Sequence, residues 1–196
     1  MAITKLNNKA VANVTTLPVA LGDMVLVSSA TASSSASIEF SLGNYKEYKF
    51  FFVNMHPQNN VTSFTFQTST DGGSNYNTTI TSTNFITRHN EADTEADLGY
   101  NTAGDLAQST SFQPLSEQQL NDNDASLAGT LQLFNPSSTT YVKHFISSTT
   151  YYQSDPAVRV FYTAGYFNTT SALTNIKFQM SSGNIDDGKI LCFGIN

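Results

Sequence analysis

The chain is poor in charge. Asp, Glu, Lys and Arg make up 12% of its 196 residues, about half the usual share, which disfavours helix bundles and coiled coils because their surfaces are built from charged residues. Basic residues are scarcer still, 9 against 15 acidic, giving a formal net charge of −6 and a pI near 4.8. Nothing here can neutralise a run of phosphates, so neither nucleic acid nor an anionic membrane is expected as a partner. Tryptophan is absent and cysteine occurs once, so no internal disulfide staples the fold. Cys192 lies between Leu191 and Phe193 in an apolar run and reads as a small buried hydrophobe, not a catalytic thiol. Long hydrophobic runs are missing as well. The densest, Phe50-Phe51-Phe52-Val53, is far short of the ~20 residues that cross a bilayer. Apolar residues near the N-terminus are broken up by Asn13, Thr15, Thr16, Pro18, Gly22 and Asp23, so no secretory signal is expected and the protein reads as soluble.

What the chain does contain is 14 Phe and 9 Tyr, rings that need burial and so argue for a folded core. Ser, Thr and Asn together supply roughly a third of the residues. Residues 1–35 hold no aromatic side chain and end in the small-sided run Ser28 to Ser35. They read as an extended N-terminal arm in which only Met24-Val25-Leu26-Val27 has strand character. From residue 36 to 196, short β-branched and aromatic runs alternate with turns, the spacing of an antiparallel two-sheet β-sandwich, jelly-roll-like or immunoglobulin-like. Ile38, Phe40 and Leu42 alternate with Ser37, Glu39 and Ser41, and Ile176, Phe178 and Met180 are predicted inward against Lys177 and Gln179. Asp71-Gly72-Gly73-Ser74-Asn75 is a turn signal that predicts a hairpin between 61–69 and 76–87. Two polar stretches, 88–113 and 116–124, are expected to project as loops; they carry Glu91, Asp93, Asp97 and Tyr100 in the first and Asp122 and Asp124 in the second, the candidate recognition residues.

Chemistry-bearing patterns are few. His56, His89 and His144 have no ligand spacing among them, and the acids from Glu91 place Ala96 and Thr102 where a calcium loop needs Gly and Glu. There is no G-x-S-x-G, phosphate loop or dinucleotide fingerprint. Asn-x-Ser/Thr triplets at Asn13, Asn60, Asn77 and Asn168 are no more than this composition supplies by chance. No enzyme activity, cofactor or metal is expected.

Several segments together resemble a family of small virion structural proteins of marine tailed bacteriophages. They are Ile3 to Lys9 (ITKLNNK), Ala30 to Phe40 (ATASSSASIEF), 48 to 60 (YKFFFVNMHPQNN), 66 to 76 (FQTSTDGGSNY), 133 to 145 (LFNPSSTTYVKHF) and 181 to 195 (SSGNIDDGKILCFGI). The resemblance implies a virion location and a virion anchor at the N-terminus, for which Thr4, Lys5, Leu6, Asn7, Asn8 and Leu17 are the candidate residues; it brings no catalytic residue. The function expected is a capsid decoration (cement) protein that binds the major capsid protein or other virion proteins. The alternatives are a receptor-binding fibre or tail-tip domain recognising host glycan or protein, and a neck or tail adaptor. A homo-oligomer, a trimer first, is expected because Phe51 and Phe161 fall on nominally outward faces and leave apolar surface for a partner.

Overall fold

The computed structural model describes residues 24–153 and 157–196. Among the described residues every regular element is a strand: β1 (Met24–Ser35), β2 (Ile38–Ser41), β3 (Glu47–Pro57), β4 (Phe64–Ser69), β5 (Ile80–Asn90), β6 (Ala96–Tyr100), β7 (Gln113–Pro114), β8 (Leu127–Phe134), β9 (Lys143–Gln153), β10 (Ala157–Phe167), β11 (Asn175–Met180) and β12 (Ile185–Ile195). They form two antiparallel sheets, β1-β12-β3-β8-β9-β10-β5-β6 and β2-β11-β4-β7. Four pairs set the topology: β1 with β12, β2 with β11, β3 with β8, and β4 with β7. Early strands thus pair with late ones as in one long antiparallel ribbon, and successive strands of that ribbon alternate between the sheets. This is the jelly roll, which settles the choice against an immunoglobulin-like order. The strands β5–β6 and β9–β10 are insertions that widen the first sheet by four strands.

The core lies between the sheets and is aromatic. Phe178 of β11 touches the rings of Phe40, Phe50, Phe52, Phe64 and Phe66 at centroid separations of 5.3 to 6.3 Å. As the alternation requires, Ile38, Phe40, Ile176, Phe178 and Met180 are buried while their neighbours face out. Lys143, at the start of β9, is buried too, and its ammonium donates to the carbonyls of Thr169 (3.1 Å) and Ser171 (2.6 Å).

The sheets correct four expectations. The arm does not extend to residue 35: Met24–Ser35 is a full edge strand, paired along its length with β12. Its small residues lie flat against the neighbouring strand, so a lack of bulk did not prevent pairing. Second, no hairpin joins 61–69 to 76–87. Both edges of β4 are taken, by β11 and β7, and the chain after the turn crosses to the other sheet, where β5 begins only at Ile80. Third, the acidic stretch after Arg88 is not an irregular loop, because β5 continues to Asn90 and turns back into β6. Fourth, Phe161 is not on an outward face but fully buried beneath β10; only Phe51 of the two retains an outward position, half-buried against Phe193.

The turn at 71–75 does form, with Gly72 and Gly73 at φ of 75° and 88°. The Asp71 carboxylate accepts from the Ser69 hydroxyl (2.6 Å), the Asn75 backbone N–H (2.9 Å) and the Asn75 amide (2.7 Å). The Ser69 and Asn75 bonds hold its pKa down from 3.8 to about 2. An unfolded chain therefore takes up this proton first, and the contribution to stability falls as pH drops from about 4 to about 2. Urea titrations of the wild type and Asp71→Asn at pH 2 to 5 are expected to show a shallower acid loss in the variant; parallel curves would refute this role.

Candidate functional site

The anchor residues Thr4, Lys5, Leu6, Asn7, Asn8 and Leu17 lie outside the described residues. The recognition candidates divide between two places. Glu91 and Asp93 occupy the β5–β6 turn, and Asp97 and Tyr100 lie on β6, at the far edge of the larger sheet. Asp122 and Asp124 belong to a turn beside the end of β3, where the Asp122 carbonyl lies 3.1 Å from His56 Nε2. Five steps of the sheet separate β3 from β6, about 24 Å at the usual strand spacing, so the two groups do not form one site.

At the hairpin three local pairs form. Arg88 meets Glu95 at 2.5 Å, His89 lies 3.1 Å from Asp93, and the Tyr100 hydroxyl donates to Asp105. Tyr100 and Leu98 remain the most solvent-open large side chains of β6, at 62% and 67% exposure.

The stretch 101–120, read as projecting, instead packs down as a second layer under the inserted strands. Leu115, Gln113, Ser116 and Gln119 are fully buried. Ser109 exchanges backbone hydrogen bonds with Ile80, Gln113 donates to the Gly104 carbonyl (2.7 Å), and Gln119 donates to the Met55 carbonyl (2.6 Å). The four-stranded sheet is too narrow to cover eight strands, and this polar segment covers the remainder. Phe112 is half-buried here, apart from Tyr100 on β6.

A polar cleft of about 550 Å³ opens between Asn54, His56, Asp124, Ser126, Asp186 and Asp187. Sequence reading missed it because its residues come from three distant segments. His56 Nδ1 lies 3.8 Å from Asp186, while its Nε2 faces the Asp122 carbonyl. Among the described residues no group of three His, Cys, Asp or Glu side chains is arranged to hold a metal ion. His144 faces outward on β9 beside Tyr166.

Cys192 is buried on β12, and burial pushes its thiol up to about 12. It is expected to resist a thiol reagent in the native protein at pH 8 and to react fully in denaturant; rapid native labelling would show the strand opening readily.

The described residues therefore define an all-β jelly-roll sandwich with a widened sheet, in which no helix is long and apolar enough to cross a membrane. No family model, curated protein or solved structure matches the chain.

Proposed function

We propose that the chain is a non-enzymatic structural protein of a bacteriophage virion, a capsid decoration (cement) protein that binds the major capsid protein lattice during assembly in the host cytoplasm. The observation that carries this reading is the β1 edge. Its twelve residues include no charge and no proline, and Met24, Val25, Leu26 and Val27 at its start are all about half exposed. Edge strands are normally blunted by lysine, proline or a covering element; an apolar edge that is open among the described residues suits strand addition by or to a neighbour. Residues 1–23 precede that edge, and the candidate anchor residues lie among them. The six segments that resemble virion proteins support the same reading.

Host recognition by a fibre or tail-tip domain is the second reading, supported by the exposed Leu98 and Tyr100 of the β5–β6 hairpin. Quantitative mass spectrometry of purified particles separates the two. Hundreds of copies per particle are expected for decoration; a few dozen or fewer would transfer the chain to a fibre, neck or tail, and absence from particles would refute a virion role.

A further inference from the structure

Thirteen large hydrophobic side chains are exposed among the described residues, and six of them stand together on the outer face of the inserted strands: Phe85, Leu98, Tyr100, Ile146, Val158 and Tyr162. The strand registers line them up in rows. Tyr100 faces Phe85, and Phe85 faces Tyr162, whose ring stacks on it at 4.8 Å. Two residues along, Leu98, Thr87, Val160 and Thr150 form the next row, and two further on come Ala96, His89, Val158 and Tyr152. Arg88, Asp97 and Arg159 alternate onto the opposite face, so these rows carry no Asp, Glu, Lys or Arg of their own, and the carboxylates nearest them are Asp93 beside His89 and Asp105 beside Tyr100.

The relief of this face is complementary to itself. Aromatic rings rise on one side of the Thr87–Val160 row. On the other side Val158 stands between two shallow hollows, one of about 430 Å³ against His89, Ala96 and Leu98 with Arg88 and Asp97 at its margin, the other of about 250 Å³ against Ala128, Thr150 and Tyr152. A twofold axis along the Thr87–Val160 row would seat the rings of each copy over the hollows of the other.

We infer that this face is the contact by which two copies of the chain pair, sheet on sheet, through the outer surface of β6-β5-β10-β9. Charge permits a second copy as the occupant: copies of net charge −6 repel each other overall, and rows without Asp, Glu, Lys or Arg add least to that repulsion. Area agrees. With roughly 150–250 Å² per aromatic side chain, the six exposed residues present on the order of 600 Å², and the rows between them bring the face to about 800 Å², the share per partner in a stable complex. A face-to-face pair of this kind is a dimer, in place of the trimer expected from sequence. The pairing rests on the fold and is independent of the chain's place in a particle.

Sedimentation velocity of the full chain across nanomolar to high micromolar concentration is expected to show a reversible monomer–dimer equilibrium. Leu98→Glu, at an exposed position, sets like charges opposite each other across the axis and is expected to raise the dissociation constant by about 100-fold or more. Thr87→Cys is expected to join two chains through a short bis-maleimide, since each Thr87 lies opposite its counterpart; Thr31→Cys on the outer face of β1 is expected not to. Native Cys192 is buried and does not compete. A chain that stays monomeric throughout, or a dimer indifferent to Leu98→Glu and crosslinked equally at position 31, would overturn the inference. So would a monomer whose particle incorporation is lost with Leu98→Glu, because the face would then belong to a virion partner. A dimer that never enters particles would support the pairing while refuting the virion reading.

Discussion

A chain starting at Met24 is expected to melt cooperatively, and one starting at Ala36 is expected to melt at a markedly lower temperature. The difference is β1. Ten residue pairs join it to β12, from Met24 with Ile195 to Ser35 with Ile185, and β12 supplies Ile185, Ile190 and Cys192 to the core. Backbone hydrogen bonds contribute only about 0.5–1.5 kcal/mol each and are offset by about 1–2 kcal/mol per residue of ordering entropy, so the ladder by itself nearly cancels. The larger loss comes from uncovering β12, which changes from an inner strand to the sheet edge, and from exposing the core beside Ala32, which is itself buried. A cost of about 3–5 kcal/mol is expected, a large part of the usual 5–15 kcal/mol of a domain. Circular dichroism melts and urea titrations of the two truncations provide the measurement. Equal stability would mean that β1 is an accessory strand and that the arm extends to residue 35 after all. Because the chain from Met24 keeps the whole sandwich, it is also the correct reagent for particle-binding experiments on residues 1–23; truncation at residue 30 would remove half a strand together with the anchor.

Replacing Phe178 by alanine is expected to be among the most damaging single substitutions, at about 3–5 kcal/mol. This ring is fully buried and joins Phe40 of β2, Phe50 and Phe52 of β3, and Phe64 and Phe66 of β4. It therefore holds both sheets together, and truncation leaves a void that five rigid rings cannot fill without tilting. For a chain of this size the cost corresponds to a fall in Tm of about 10–15 °C. Phe178→Leu keeps most of the volume and is expected to cost less than about 1.5 kcal/mol. Phe85→Ala, on the outer face, supplies the contrast in isolated monomer, where losing its stack on Tyr162 is expected to cost about 1 kcal/mol. If Phe178→Ala cost no more than Phe85→Ala, the two sheets would not share one core.

What was legible in the sequence followed from periodicity. The alternation around Ile38 and Phe40, and again around Ile176, Phe178 and Met180, named the inward faces, because side chains of a strand alternate whatever strand lies next to it. The apolar run at Phe50–Val53 lies on an inner strand for a related reason: Phe50 and Phe52 fill the core while Phe51 packs against Phe193 on the outer face. The isolation of Cys192 in an apolar run likewise sufficed to bury it.

Pairing was a different matter. The predicted 71–75 hairpin failed because a turn signal fixes only where the chain bends, and both edges of β4 were already occupied by β11 and β7, strands far along the chain. The segment 101–120 looked like a projecting loop because its buried residues, Gln113, Ser116 and Gln119, are polar. Their burial is stabilised by hydrogen bonds to distant backbone, such as that from Gln119 to Met55, which no local pattern announces. Lys143 was unreadable as a core residue for the same reason, since its ammonium is accommodated by two carbonyls twenty-six and twenty-eight residues away.

By itself, then, the sequence determined the fold class, the inward faces of β2 and β11 and the location of the 71–75 turn, all of which depend on neighbours a few residues apart. The tertiary structure alone decided that Met24–Ser35 is an edge strand, that the groups at Glu91–Tyr100 and Asp122–Asp124 lie five strands apart, and that six apolar side chains meet on one face. Each of these depends on which strands become neighbours, and that choice is made by the shape and area the whole chain can bury, not by any short stretch of it.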